Sequence, residues 1–423
     1  MTLAIDRGGD IARRRRESVA ATRESRRRPD RAGRRRHEGS SKLTIADALR
    51  RESLGVPSVT YYGLMVLVAI FVTLGLAMLL SASGPLRAAG SGSPYSMVLW
   101  QTLWAGLGLV GMLIVLRIRY SIWERFVGLI AIVGFAAMLA PFVPGLSREV
   151  NDARSWVAIG PLTFQPSEIL KLVVVIVIAH MLVRRRAVLH DWRQTLLPVM
   201  LVAGLAGVLS LAQGDFGSAV VLVAIAMSMS FLAGVPWMQL AVSSLMTGGV
   251  GVVLMIASPR RFGRWLAFLD IEGNKEHYAY QAWQGLLSIA NGGLTGSGIG
   301  GSRSKLGYLP LAHSDFIFAI IADELGFLGV ITVLGGFALL AVLGMRVALG
   351  APDRFGMLIA SGITAWLTIQ ALINVGGVTG MLPVTGLTLP FFSHGGTSLF
   401  MSLIGIGLLM NVARRSVADG DRR

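Results

Sequence analysis

The chain contains no cysteine. That excludes a disulfide framework, a thiol nucleophile and a cysteine-bound metal, and says little about redox compartment. Charge is scarce as well. Only 15% of the 423 residues are Asp, Glu, Lys or Arg, against about 25% in soluble domains. These few polar side chains are clustered and could not coat a soluble globule of this size. Acidic residues are the scarcer sign, 23 against 39 Lys and Arg, giving a net charge of +16. What abounds is apolar: 53% of the chain is hydrophobic. The apolar residues fall in runs near the ~20 residues that cross a ~30 Å hydrocarbon core as helix. The fold class is an all-α polytopic membrane protein.

The basic excess is uneven. Residues 1–52 hold 16 Lys and Arg against 8 Asp and Glu, which is half of the net charge. Arginine runs at 13–16, 26–28 and 34–36 carry almost no apolar periodicity. Such a segment cannot bury enough apolar surface to offset ordering entropy, so 1–55 is expected to be a disordered basic cytoplasmic tail. No apolar stretch follows the first arginines closely, so it does not read as a secretory signal peptide. The tail would either touch anionic lipid or a partner, at ~1 kcal/mol per basic residue near such a surface, or serve only to fix topology. No nucleic-acid partner is expected.

About ten candidate spans follow, at 61–83, 97–116, 124–143, 167–183, 195–211, 216–233, 237–258, 314–345, 354–375 and 395–412. They occupy a membrane domain of 56–415, with a short cytoplasmic tail at 416–423. Basic residues mark alternate connections: Arg117, Arg119 and Arg125, then Arg184, Arg185, Arg186 and Arg193, then Arg346 and Arg354, then Arg414 and Arg415. Short loops rich in Lys and Arg stay in the cytoplasm. Both termini are therefore expected inside, and the large 259–313 loop between the seventh and eighth spans outside. On this topology the polar clusters of interest share the outer face.

Glu168 and Lys171 stand three residues apart in the first turns of the fourth span and can pair on one helix face. Ser167 would cap that helix behind Pro166. Lys171 would either snorkel outward or project into a wet cavity and bind phosphate. At the eighth span, Ser314 would cap the helix, whose dipole favours an anion at Asp315 by ~0.3–1 kcal/mol. On spacing alone, Asp315 reads more readily as an ordinary first-turn acid than as a catalytic one. Asp323 and Glu324 lie ~12–14 Å deeper at 1.5 Å per residue. They need a partner, a proton or water, because a bare charge at mid-membrane costs at least ~2.5–3.5 kcal/mol. Glu324 is nearly opposite Asp315 around the helix and reads as a partnered packing residue. The glycine-rich stretch 292–305 matches neither nucleotide-loop pattern and reads as a flexible or tightly turning loop. Before it, 261–269 and 280–290 suit helices lying at the interface. Gly395 and Gly396, after Ser393 and His394, allow close approach of a ligand or another helix. His313 and His394 on separate loops are too little for a metal site, and none is assigned.

In order along the chain, Ala153-Arg154-Ser155-Trp156, Phe164-Gln165-Pro166-Ser167-Glu168, Gln213-x-Asp215-Phe216-Gly217, Tyr308-Leu309-Pro310-x-Ala312-His313-x-Asp315-Phe316-Ile317-Phe318, Glu324-Leu325-Gly326 and Leu389-Pro390-Phe391-x-Ser393-x-Gly395-Gly396 resemble the SEDS family, the RodA/FtsW group of cell-wall polymerases. The likeness covers nearly all of 61–415 and leaves out the basic tail. It departs at Gly214, Thr388 and His394, where the family usually has Pro, Pro and Tyr, and gives residue 394 no inherited role.

The resemblance implies a ten-span fold and a peptidoglycan glycosyltransferase, inverting at the sugar, in the cytoplasmic membrane. Its substrate would be lipid II, a disaccharide-pentapeptide on undecaprenyl pyrophosphate. The catalytic aspartate falls on Asp315. Arg154, Lys171 and Lys305 would neutralise the pyrophosphate, and Glu168 would position Lys171. Asp215, His313, Ser393, Gly395 and Gly396 would line the substrate site. No soluble cofactor is implied. A divalent cation on the pyrophosphate would be the one metal, with no clear carboxylate cage in the sequence to hold it. The 308–313 run and the long basic tail look more like the division branch than the elongation branch. Partners would be a class B penicillin-binding protein transpeptidase and other divisome membrane proteins. Two alternatives remain: a lipid II flippase using Lys171, Asp323 and Glu324 as path residues, and a scaffold for a transpeptidase. Against the flippase, no inverted repeat is evident and the polar groups cluster on one face.

Overall fold

A computed structural model describes residues 58–420, apart from 90–92, 151–152 and 161. The expected tail at 1–55 and residues 421–423 lie outside the described residues. Four helices come first: α1 (Val59–Ala89), α2 (Ser96–Arg117), the short α3 (Ser121–Arg125) and α4 (Val127–Ala137). A small antiparallel sheet follows, β1 (Ser147–Val150), β2 (Ala153–Ile159) and β3 (Leu162–Phe164), in spatial order β1-β2-β3. Then come α5 (Pro166–Arg184), α6 (Leu196–Ala212), α7 (Phe216–Ala233), α8 (Trp237–Ile256), α9 (Pro259–Leu269) and α10 (Tyr280–Gly292). The chain ends with α11 (Ile317–Leu349), α12 (Arg354–Val378) and α13 (Gly396–Gly420).

Among the described residues, eight helices are long and apolar enough to cross a membrane: α1, α2, α5, α7, α8, α11, α12 and α13. Two shorter apolar helices, Val127–Phe142 and Leu196–Ala212, stand where the third and fifth spans were expected. The protein is a multi-pass helical membrane protein. In lipid, apolar helices gain little hydrophobic drive from meeting one another, so they associate by close packing at small residues. The α2–α13 contact shows this. A Cβ on Gly108 would lie 2.6 Å from Leu403 Cδ1, and one on Gly407 would lie 2.9 Å from the Met112 carbonyl oxygen. α5 and α12 are buried along most of their length. α8 sits at the edge and buries only Leu240.

The sheet was not anticipated from the sequence, which placed no strand between the expected third and fourth spans, 124–143 and 167–183. Strand β2 pairs Val157 with Ser147 on one side and with Phe164 on the other. Alternation then decides orientation: Ser155 and Val157 are buried, while Arg154 is exposed.

α11 is two helices in line, interrupted at Gly326, whose φ of 63° and ψ of −157° are not helical. The break frees main-chain groups, and the glycine-rich loop satisfies them. The Asp323 carbonyl accepts from the Ser297 amide at 2.9 Å and the Glu324 carbonyl from the Gly298 amide at 3.0 Å, while the Phe327 amide donates to the Gly293 carbonyl at 2.9 Å. Irregular backbone within a spanning helix is tolerated only where protein supplies its partners. The loop reaches this depth by turning left-handed at Gly293, Gly296, Gly298 and Gly300. Two of its amides, those of Ser297 and Gly298, are thus spent on the helix. Asp323, fully buried, accepts from Ser302 Oγ at 2.5 Å and Asn291 Nδ2 at 3.0 Å.

A Cβ on Gly326 would lie 2.3 Å from the Gly296 amide nitrogen, at a φ that costs an L-residue ~1–2 kcal/mol. Gly326→Ala is therefore expected to lower the thermal midpoint in detergent well below that of Gly335→Ala, where a Cβ meets nothing within 4 Å. Equal midpoints in a thermal-shift series would contradict the docked loop.

Candidate active site

The mouth of α11 is built from two chain segments running side by side. Asp315 precedes the spanning helix rather than lying in its first turn: the cap position is Phe316, and no side chain caps it. Ser314, expected as the cap, instead offers its carbonyl to Ser393 Oγ at 2.6 Å. Ser393 Oγ also accepts from the Leu389 amide at 2.8 Å. The His394 amide donates to the His313 carbonyl at 2.9 Å, and the two imidazole rings lie 5.9 Å apart. From α12, Asn374 Nδ2 donates to the Asp315 carbonyl at 2.8 Å and to the Leu387 carbonyl at 2.7 Å. Behind the loop, Phe391 and Phe392 pack on Phe71 of α1, and Gly75 admits the Phe391 carbonyl where a Cβ would stand 2.3 Å away.

The Asp315 side chain is 8% exposed. Across from it lies Gly386, left-handed at φ 72°, whose Cβ would stand 3.8 Å from Asp315 Oδ2. Burial pushes the Asp315 carboxyl above the ordinary carboxylate range; a backbone amide, Ser314 and the positive charge of Arg264 on α9 partly offset this. A base whose pKa moves toward the working pH accepts a proton more effectively.

Beneath this mouth lies a second polar cluster. Gln165 occupies the N-cap of α5 and Pro166 its first turn. Ser167, expected as that cap, sits inside the helix and donates to Asp215 Oδ2 at 2.8 Å. Asp215 also accepts from Gln165 Nε2 at 2.9 Å, and caps α7 by accepting from the Ser218 amide at 2.9 Å. The expected Glu168–Lys171 pair forms at 2.7 Å. Lys171 does not snorkel: it is 0% exposed. Its Nζ also donates to Gln370 Oε1 at 2.9 Å, which accepts from Trp366 Nε1 at 2.9 Å as well. Gln370 Nε2 in turn donates to the Thr388 carbonyl at 3.0 Å. Lys171 is thereby joined, through one amide, to the loop that faces Asp315.

Two residues expected at the site, Lys305 and Gly396, are engaged elsewhere. Lys305 lies 2.5 Å from Glu324 Oε1 and 2.9 Å from Ser81 Oγ, and is buried there. Its charge is already neutralised, so the sequence expectation that it meets the pyrophosphate is corrected; Glu324 is the partnered residue it was expected to be. Arg154 is on the exposed face of the sheet. Gly396 serves helix packing, since a Cβ there would stand 2.2 Å from Trp104 Cδ1. Gly395 donates its amide to Gln101 Oε1 at 3.3 Å, and Gln101 Nε2 donates to the Ser393 carbonyl at 3.1 Å. Gln101, Gln370 and Asn374 escaped the sequence reading. The available signal was an amide side chain inside an apolar span, with Gln370 and Asn374 four apart on one helix face. Among the described residues, no three His, Asp or Glu side chains converge to hold a cation.

A membrane-spanning bundle with a desolvated carboxylate at one end, over a buried Lys–Glu pair, is an integral membrane protein with acid–base groups held at that end. The sequence matches the family described as Cell cycle protein (FtsW/RodA/SpoVE) over residues 62–417. It is 35% identical to Stage V sporulation protein E of Bacillus subtilis, across 84% of this chain and 96% of that one. It is 40% identical to a protein of Marinobacter nauticus named "Probable peptidoglycan glycosyltransferase FtsW", across 82% of this chain and 87% of that one. The crystal structure of Thermus thermophilus Rod shape determining protein RodA superposes with a TM-score of 0.60 at 30% identity, covering 84% of this chain and 96% of that one. A structure described as "Structural coordination of polymerization and crosslinking by a peptidoglycan synthase complex" superposes with a TM-score of 0.69 at 29% identity, covering 84% and 98%. The chain belongs to the FtsW/RodA/SpoVE family.

Removing one member of a buried ion pair strands the other. Lys305→Met is expected to destabilise the fold by ~3–5 kcal/mol, and adding Glu324→Gln to recover part of that loss. A double variant no more stable than Lys305→Met in a denaturant titration would contradict the pairing.

Proposed function

We propose that the protein is a peptidoglycan glycosyltransferase that polymerises lipid II at the outer face of the cytoplasmic membrane, in the division branch that makes septal wall. Its termini lie in the cytoplasm. The relatives' names support the activity, and their FtsW naming favours division over elongation. The observation that carries the reading is Asp315: a carboxylate withdrawn from water at the mouth of α11, with its pKa raised by burial and open backbone at Gly386 opposite it.

Asp315 acts as the general base. It takes the proton from the 4-hydroxyl of the acceptor GlcNAc, that oxygen attacks C1 of the donor MurNAc, and the lipid pyrophosphate leaves with inversion. Such a displacement needs one base and a neutralised leaving group. Exposed Arg154 and Arg264 supply positive charge that a membrane-borne pyrophosphate can reach. Lys171, held by Glu168, acts through Gln370 on the loop facing the base. Asp215 fixes the start of α5 against α7, and His313, Ser393 and Gly395 hold the two segments of the mouth. A divalent cation would sit on the pyrophosphate itself, and no step runs through it. The residues a lipid transporter would use as a path, Asp323 and Glu324, are closed off by the glycine-rich loop. A class B penicillin-binding protein is the expected crosslinking partner, alongside other divisome membrane proteins. The synthase-complex relative, described as coordinating polymerization and crosslinking, supports a partner of that kind.

Asp315→Asn is expected to cut glycan synthesis from purified lipid II in detergent at least about a hundredfold, with an unchanged elution profile. Near-normal strand synthesis by that variant would overturn the assignment. The base works ionised, and burial raises its pKa, so kcat/KM should fall with decreasing pH through a value above the ordinary ~3.9 of Asp. An acid limb at or below that value would contradict a desolvated base.

A further inference from the structure

Building on the polymerase reading, we infer that Asn374 is a positioning residue: it sets the gap between Asp315 and the loop opposite by holding the main chains of both. The amide nitrogen of Asn374 has two protons, and both are committed, one to the carbonyl of residue 315 itself and one to the carbonyl of Leu387. Leu387 directly follows Gly386, where an added Cβ would stand 3.8 Å from Asp315 Oδ2. The side chain is 4% exposed and its Oδ1 has no hydrogen-bond partner among the described residues. Its bonding is thus directed wholly at these two segments. α12, which carries it, is buried on nearly all sides, so the anchor is stiff. One turn earlier on the same face, Gln370 holds the next loop residue, Thr388. The loop is therefore braced twice from α12, and the base once.

An asparagine that merely satisfied irregular backbone would have no reason to join these two residues. Here the bridged carbonyls belong to the base and to the neighbour of its facing glycine. The acceptor sugar would enter between them, and misplacement of about 1 Å in such a gap costs on the order of a hundredfold in rate. The charged group acting on Asp315 is Arg264 on α9, and the His313 and His394 rings stand 5.9 Å from each other on the flanking segments. None of them is altered by substitution at 374.

The test compares wild type, Asp315→Asn, Asn374→Leu and Asn374→Asp as purified full-length protein, with lipid II as the probe. Asn374→Leu removes both donors at similar volume, and is expected to lower kcat about ten- to a hundredfold while KM stays within about threefold. Asn374→Asp also places a like charge near the base, so its acid limb should move to higher pH than that of wild type. A folded Asn374→Leu protein with kcat within about twofold of wild type, or a change confined to KM, would overturn the inference. So would an unmoved acid limb in Asn374→Asp. If neither variant folds, Asn374 belongs to the fold and the positioning role is lost. An inactive wild type, or an active Asp315→Asn, would instead overturn the polymerase reading and the inference with it.

Discussion

A polar group moved out of water must find its partner inside the protein or destabilise it, and this one constraint shapes the polar interior of the molecule. Lys171 is buried beside Glu168 and Gln370. Lys305 is buried beside Glu324 and Ser81. Where α11 breaks at Gly326, the freed carbonyls are taken up by amides of a loop that turns back into the bundle. Even the end of α2 follows the rule: Asn411 Nδ2 of α13 donates to the carbonyls of Val115, Leu116 and Ile118.

Asp315 is the departure from this rule, and it is the residue proposed as the base. Among the buried acids, Glu168 and Glu324 each meet a lysine, and Asp323 meets two hydroxyls and an amide. Burial at Asp315 is offset only in part, first by a backbone amide, then by Ser314 and the charge of Arg264. Its main chain, in contrast, is tied firmly in place through Ser314 and Asn374. A carboxylate that is loosely solvated yet rigidly placed suits proton abstraction, because the proton lowers its cost of burial while the geometry is kept.

Much of this was legible in the sequence, and what was missed has a common cause. Helix positions followed from the length of the apolar runs, and the Glu168–Lys171 pair from its spacing on one helix. Both are local. Ser167 and Ser314 looked like caps because cap preference is also local, yet tertiary partners, Asp215 and Ser393, claimed them. The Glu324–Lys305 contact folds the loop ahead of α11 back onto that helix across 19 residues, and no helix-spacing rule reaches that far. Gly326 lay inside the expected eighth span, and only the docking of Gly296 against it shows why the chain turns left-handed there. β2 was missed because its alternating pattern is seven residues long and was taken as part of a plain connecting loop.

The account stands on where the acceptor sugar meets the protein. The most direct measurement is an experimental structure of the Asp315→Asn protein with lipid II bound. The acceptor 4-hydroxyl should lie within about 2.6–3.2 Å of the side chain at 315, between it and Gly386, with the pyrophosphate turned toward Arg154 and Arg264. Density for the sugars at the opposite end of the bundle, or with the 4-hydroxyl directed away from residue 315, would contradict it.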